Sequence, residues 1–457
     1  TGGDIELSAK GDLIVQSGAR LVASGQQFDA AGQGGSIFLG AGATRNGIID
    51  TTATLNVMAG STIDLDVASL AADSAMRGQF SGTLHLRAPQ NAAFTDIQMA
   101  PIGGTINGAS SILVEGYRLY DLTASGGALT TAVRDSLLTH GNAFLGSAGA
   151  ANANYTAMLS RLTSLQPGLD LILAPGAEIL NRTGSLTMGS TGSAVSNDWN
   201  LGTFRFGPRS APGVLTMRAA DSLVFFNALS DGFSGGSSLW LSPLNAHNPL
   251  LPANTQSWSY RLTAGADLSS ANFRATQPLE SLAAGVGELR LGKNAGAATV
   301  VGGGNAQTAS AVANNFQVIR TGSGDIDITV ARNVQLLNPF ASIYTAGTQV
   351  ASPTSIFNPG DFSLPNLNSP LPQVDLGARQ QIYPAQYSLA GGNVTISAGE
   401  NIERKTRNNS GLIDDSSRQL PTNWLYRRGH VGDDGNFGLV NIGSFTDPNA
   451  TTTWWVD

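Results

Sequence analysis

Residue types able to do chemistry are few and scattered in this chain. The four histidines, His85, His140, His247 and His430, form no HxxxH or HxH pair, so no imidazole ligand set is legible. Each reads as an incidental surface or loop residue. The absence of cysteine removes thiolate nucleophiles, cysteine-ligated zinc and disulfides. No phosphate-cradling GxxxxGK[ST] loop occurs, and Gly302-Gly303-Gly304-Asn305 lacks a following helix and reads as a corner. The run Gly322-Ser323-Gly324-Asp325 is similar to a calcium-binding nonapeptide turn, but such turns share ions between tandem copies, and here there is a single one. Asp64/Asp66 and Asp325/Asp327 are spaced i, i+2. In a strand each pair shares a face, and the apolar pattern makes that face the outward one. Glycoside hydrolysis needs two carboxylates facing each other across a cleft. Asp414/Asp415 and Asp433/Asp434 come nearest, and both lie in turn-like segments. No catalytic residue, metal ligand or cofactor site is assigned, and the chain reads as a non-enzyme. The candidate contact residues are aromatic and cationic: Trp424, Tyr426, Arg427 and Arg428 in WLYRRGH, and Trp454 and Trp455 in TWW. Such groups stack on sugar faces or donate to carboxylates, which suits a glycan or protein partner. The competing reading is that Trp424 and Tyr426 cover a coil end or anchor a loop.

The elements that must carry these residues are read from a repeat. Residues 3–15 are GDIELSAKGDLIV, 324–336 are GDIDITVARNVQL and 392–404 are GNVTISAGENIER. All fit Gly, Asp/Asn, apolar, any, apolar, Ser/Thr, three free positions, Asp/Asn, apolar. Looser copies occupy 53–65 and 213–225, and 262–268 keeps the middle of the unit. The apolar pairs Ile5/Leu7, Ile326/Ile328 and Val394/Ile396 have period two, so each pair points to one face of a strand. A short strand, a Gly/Ala/Asx corner and a second short strand (Leu13/Val15, Val334/Leu336) make one coil of a solenoid, which buries its inner face only by stacking. Asp4, Asp12, Asn333 and Asn401 fall at the corners, where Asx side chains bond nearby backbone. Short strands with Gly-rich turns also make sandwiches and propellers, but those favour longer strands and hairpin turns.

The expected fold class is all-β: a parallel β-helix with a helical-hairpin insertion and extra-helical loops. Coils are expected over 1–127, 169–230, 260–349 and 387–457. A helical hairpin is expected at 128–168, where Val133, Leu137, Phe144, Tyr155, Met158, Leu159, Leu162 and Leu165 recur at helical spacing. Thr130 or Thr131 and Asn152 or Asn154 suit its N-caps, and Pro167-Gly168 closes it. Loop insertions are expected at 231–259 and at the Pro-rich 350–386. With about 20–25 residues per coil and about 4.8 Å between coils, up to about 20 coils would make a rod of order 70–100 Å, less what the loops consume. The hairpin, lying between coils, is expected to be removable. Composition agrees: 41% of residues are hydrophobic, too many for a disordered chain, while only 12% are charged. A net charge of −7 offers no basic stripe for nucleic acid. No apolar run of about 18 residues suits a transmembrane helix. The chain opens at Thr1 within a strand unit, which reads as a piece of a longer polypeptide.

The segments 198–233, 257–272, 322–350 and 391–402 resemble the repetitive body of filamentous-haemagglutinin-like outer-membrane exoproteins. The resemblance is strongest over residues 170 to 457 and generic before that. It implies a right-handed parallel β-helical shaft, exported by two-partner secretion through an outer-membrane transporter. It places the protein in the secreted or cell-surface compartment of a Gram-negative bacterium. The implied partners are a host or neighbouring-cell surface or extracellular matrix, and self-association into filaments. The family's secretion domain is not recognisable here, and its shaft supplies no catalytic residue to carry over. The rival reading is a β-helical module that binds glycans or degrades polysaccharides.

Overall fold

The computed structural model describes residues 2–25, 35–66, 82–232, 251–252, 255–293, 317–337, 341–349, 388–389, 391–408, 411–414, 430–431 and 437–438. It is a parallel β-helix. Its first face is a nine-stranded parallel sheet: β1 (Asp4–Ser8), β2 (Ser36–Gly40), β3 (Gly82–Pro89), β4 (Ala109–Asp121), β5 (Ile172–Asn181), β6 (Val214–Ala219), β7 (Ser259–Ala264), β8 (Ile326–Val330) and β9 (Val394–Ala398). Neighbours in this sheet follow one another in the order given, so each strand opens one coil. The second face stacks Leu13–Val15 on Leu55–Val57, and later Leu186–Met188, Leu223–Phe225, Leu289–Leu291, Val334–Leu336 and Ile402–Asn408. The third stacks Arg20–Val22, Thr62–Asp64 and Thr105–Asn107, and later Trp199–Asn200, Leu229–Ser230, Val318–Thr321 and Ser342–Thr345.

Period-two alternation explains the core. Ile5, Ile37 and Leu84 stand in register, as do Leu7, Leu39, Leu86 and Val114. Further along, Ala177, Leu215, Tyr260, Ile326 and Val394 form one ladder, and Ile179, Met217, Leu262, Ile328 and Ile396 another. The middle members of each ladder are buried. The corner Asx residues act over a longer range than a local turn. Asp12 Oδ1 accepts from the Thr54 N–H at 2.7 Å, Asp325 Oδ1 from the Asn393 N–H at 2.7 Å and Asn333 Oδ1 from the Asn401 N–H at 3.0 Å. Each bond joins one coil to the next, so the polar positions of the repeat pin the stacking.

The hairpin replaces wall within a coil. Helix α1 (Thr131–Leu145) is capped by Thr130, which accepts from the Val133 N–H, and α2 (Ala153–Leu162) by Asn152, which accepts from the Tyr155 N–H. They follow β4 in the fourth coil. There residues 127–129 hold the second face through Leu129 N to Thr187 O and Thr187 N to Gly127 O, and the helices take the place of the third. The third face steps from Thr105–Asn107 in coil three to Trp199–Asn200 in coil five. Two coil spacings leave roughly 10 Å, about the width of one helix. Leu137, Phe144, Leu145, Tyr155, Met158 and Leu162 consequently join the same core as the strand ladders. A Cβ at Gly116 would lie 2.6 Å from Phe144 and one at Gly141 2.2 Å from Phe206, so both glycines are set by close packing. Leu165, placed on the helical stripe by its spacing, lies beyond α2 and is exposed. The apolar face of the hairpin is thus part of the solenoid core.

The stack is not a straight rod. Arg261 of β7 bonds His85 of β3, although the two strands are four places apart. Flat, that separation would be roughly 19 Å, beyond the reach of the two side chains. Arg274, in the loop after β7, pairs with both Glu6 of β1 and Asp327 of β8, which would stand roughly 34 Å apart in a flat sheet. The nine-stranded sheet is therefore curled, with its outward side chains on the concave side.

Candidate functional site

Curling converts outward positions into an interior. In β3 the apolar Leu84 and Leu86 point into the coil, so His85 and Arg87 point to the concave side, as do Glu115 and Tyr117 of β4, Glu178 of β5, Arg218 of β6 and Arg261 of β7. Two excursions cover them: residues 41–48 after β2 and residues 265–277 after β7, joined by the Asn46 N–H donating to Leu268 O. Arg87, Glu115, Glu178, Arg218 and Arg261 are all buried.

Their charges meet one another closely. Glu115 Oε1 accepts from Arg87 Nε at 3.0 Å, and its Oε2 from Arg261 Nη1 at 3.2 Å. Glu178 Oε2 accepts from Arg87 Nη2 at 2.7 Å, its Oε1 accepts from the Thr44 hydroxyl, and Arg218 Nη1 stands 3.6 Å away. Arg87 also lies over the Tyr117 ring at 3.6 Å, and the Tyr117 hydroxyl donates to Gly42 O. Arg261 sits over Phe38 at 4.8 Å and Phe273 at 4.9 Å. Because Arg261 Nη2 can only donate, His85 Nδ1, 3.1 Å away, is the acceptor. His85 Nε2, 2.8 Å from Glu115 Oε2, then carries the proton and donates it. This is a neutral imidazole in a defined tautomer.

The electrostatics follow from burial and pairing. Burial alone would raise the Glu115 carboxyl, but Arg87 and Arg261 outweigh it and hold the group well below the usual carboxylate range. Glu178 is lowered by the same contest, with Arg87 and Arg218 overcoming burial. For His85, burial and then Arg261 lower the pKa, favouring the neutral ring. Perturbed pKa values in a cleft mark candidate catalytic sites. Here, however, both oxygens of each glutamate are engaged by the protein, and the cleft beside Thr44, Arg87, Glu178 and Arg218 has room for about one water molecule. Its chemistry is cross-linking of a curled sheet.

A second buried pair closes the third-face corner. Arg205 Nη2 donates to Asp231 at 2.9 Å and 3.0 Å, and Asp231 also accepts from the Trp258 N–H at 2.7 Å. Asp198 Oδ1 accepts from Asn227 Nδ2 at 2.7 Å and the Ala228 N–H at 2.9 Å. Asp198, Arg205, Asn227 and Asp231 are thus structural.

Sequence reasoning placed the histidines on surfaces and loops. His85 is corrected: it lies within the charged cluster. His140 faces strand β4, its Nδ1 2.9 Å from the Tyr120 hydroxyl. The pair Asp325/Asp327 points outward from its coil, but Asp327 is tied to Arg274, with Arg274 Nε donating at 2.6 Å. Among the described residues no group of three or more His, Cys, Asp or Glu could hold a metal ion, and no helix is long and apolar enough to cross a membrane. The proposed contact residues Trp424, Tyr426, Arg427, Arg428, Trp454 and Trp455 lie outside the described residues, as do His247 and the whole of 350–386. The charged cluster escaped sequence reasoning because its members come from five strands. The available signal was the concentration of Arg, Glu and His at outward strand positions in a chain only 12% charged. No family model, curated protein or solved structure matches the chain.

Proposed function

We propose that this chain is a non-enzymatic scaffold segment of a filamentous-haemagglutinin-like surface adhesin, presenting its loops to a cell surface or extracellular matrix. The observation that carries the reading is that the buried glutamates are engaged on both oxygens by Arg, His and Thr partners of the same chain, so they serve cohesion. A solenoid core made of stacked apolar ladders suits display, because recognition then falls to the non-repetitive excursions. Export through an outer-membrane transporter to the surface of a Gram-negative bacterium, and self-association into filaments, follow from the sequence resemblance. The residues 424–428 and 454–455 are the proposed contacts with glycan or protein.

The test is adhesion. Beads coated with the full chain should bind epithelial cells or matrix under flow. Replacing Trp424, Tyr426, Arg427 and Arg428 together by Ala should reduce binding at least about fivefold, a loss of about 1 kcal/mol. Shortening of acidic or neutral polysaccharides by the purified chain, with no bead adhesion, would instead establish the polysaccharide-degrading reading.

A further inference from the structure

The curl of the sheet has its own fastening. The apolar ladders join each coil only to its immediate neighbours, and those contacts are the same in a curled or a straight stack. The contacts that exist only because the sheet is curled are of another kind. Many come from one stretch, β7 and the loop that follows it. Arg261 reaches back to His85 and Glu115. Phe273 packs edge-on against Phe38 of β2 at 6.0 Å between centroids. Arg274 bonds Glu6 and Asp327, tying β1 to β8.

We infer that β7 and the 265–277 loop form a releasable clasp, with Arg261, Phe273 and Arg274 holding the solenoid curled, and that removing them lets the same coils straighten towards a rod. The inference concerns the fold alone and stands whether or not the adhesive reading does. The physical basis is the cost of buried charge. A buried ion pair gains little over its solvated partners, because desolvation offsets attraction. Breaking the cross-curl contacts returns Arg261, Glu115, Glu6 and Asp327 to water, and the apolar ladders stay buried. Curled and open forms therefore differ by these polar cross-links and the Phe38–Phe273 contact, while both keep the coil core. Arg274 is the exposed end of the clasp, its side chain 43% accessible, where water and salt compete with its bonds.

The chain contains no cysteine, so two introduced thiols label uniquely. Spin labels at Lys10→Cys, just after β1, and Thr395→Cys, in β9, report the separation of the sheet's two ends. Both positions are exposed. In the parent protein the separation should be well under the roughly 38 Å that eight flat strand spacings would give. In the triple variant Arg261→Gln/Phe273→Ala/Arg274→Gln it should lengthen by at least about 10 Å towards that value. The β-type circular dichroism spectrum should be retained and the radius of gyration should increase. An unchanged separation in a folded triple variant overturns the inference, because the curl would then be held without these three side chains. Loss of the β spectrum overturns it too, because the three side chains would then be part of the core.

Discussion

His85 Nδ1 accepts a hydrogen bond from Arg261 Nη2 at 3.1 Å, across a sheet in which their strands stand four places apart. The bond makes a solenoid surface into an interior. It also sets the protonation of the ring, since an imidazolium could not accept from a guanidinium. The neighbouring Glu115 receives the other ring nitrogen and two guanidinium groups, which concentrates the energetic weight of the cluster on one carboxylate.

Glu115→Gln should therefore be costly. It leaves Arg87 and Arg261 facing a neutral amide, and breaking a buried pair by removing one partner typically costs about 3–5 kcal/mol. Replacing Glu115 by Leu and Arg261 by Met together should cost less than the sum of the single changes. Urea denaturation of the four proteins in this cycle checks the prediction, and additive losses would contradict it.

Stability should fall on the acid side. Glu115 and Glu178 have folded-state pKa values below the ordinary ones. Their contribution is complete above the unfolded carboxylate value of about 4.3 and is lost as pH falls towards the folded values. His85 is also lowered, so the folded state resists protonation there. Its contribution begins to decline below the unfolded imidazole value of about 6.5. Melting temperature should thus drop in two stages, near pH 6 and again below about pH 4. His140 is lowered as well, by burial and then by Arg118, so His85→Gln should reduce the first stage and leave the second in place.

Chelation should have no effect on the fold. The GSGD turn at 322–325 engages its polar side chains between coils: Ser323 Oγ accepts from the Ser257 N–H, and Asp325 Oδ1 from the Asn393 N–H. EDTA should leave the melting temperature unchanged. A drop of many degrees, restored by calcium, would contradict this.

The parallel coils were legible because period-two apolar pairs and Asx corners are local signals, and Ile326/Ile328 stand in the ladder where their spacing puts them. The helices were legible for the same reason, down to the caps at Thr130 and Asn152. Curvature was not. Nothing near Glu6 or Phe38 in sequence announces Arg274 or Phe273, more than 230 residues on. The face of a strand is a local property, whereas the solvent exposure of that face depends on how coils many residues apart come to sit. Stacking gives a rod of a certain length, but it fixes only the spacing of neighbours and says nothing of curvature.

The hairpin's role is tested by removing it. Phe144 is buried at 2% exposure and packs under Gly116, and Met158 and Leu162 are equally enclosed. Phe144→Ala should cost about 3–5 kcal/mol. Thr130→Ala, which deletes the cap of α1, should cost about 1 kcal/mol. Replacing 130–165 by a short Gly/Ser linker would uncover the core between coils three and five and should abolish cooperative unfolding. A deletion variant with a sharp, near-parental melt would show the helices to be an accessory.

The final contrast separates ladder position from burial. Ile326 and Val394 are register partners in β8 and β9 and occupy the same place in the repeat. On the pattern alone, an aspartate at either would be equally damaging. Their surroundings differ: Ile326 is 1% exposed, between Tyr260 and Val394, whereas Val394 is 40% exposed. Ile326→Asp sets an unpaired carboxylate between two coils, far from water, and should cost about 4 kcal/mol or more. Val394→Asp puts the same group where water reaches it. It loses partial apolar contact with Ile326 and should cost about 1 kcal/mol. Urea midpoints at constant m-value would give both numbers. Equal, large losses would mean that Val394 is enclosed in solution by further chain stacked on β9, and its exposure would then no longer distinguish it from Ile326.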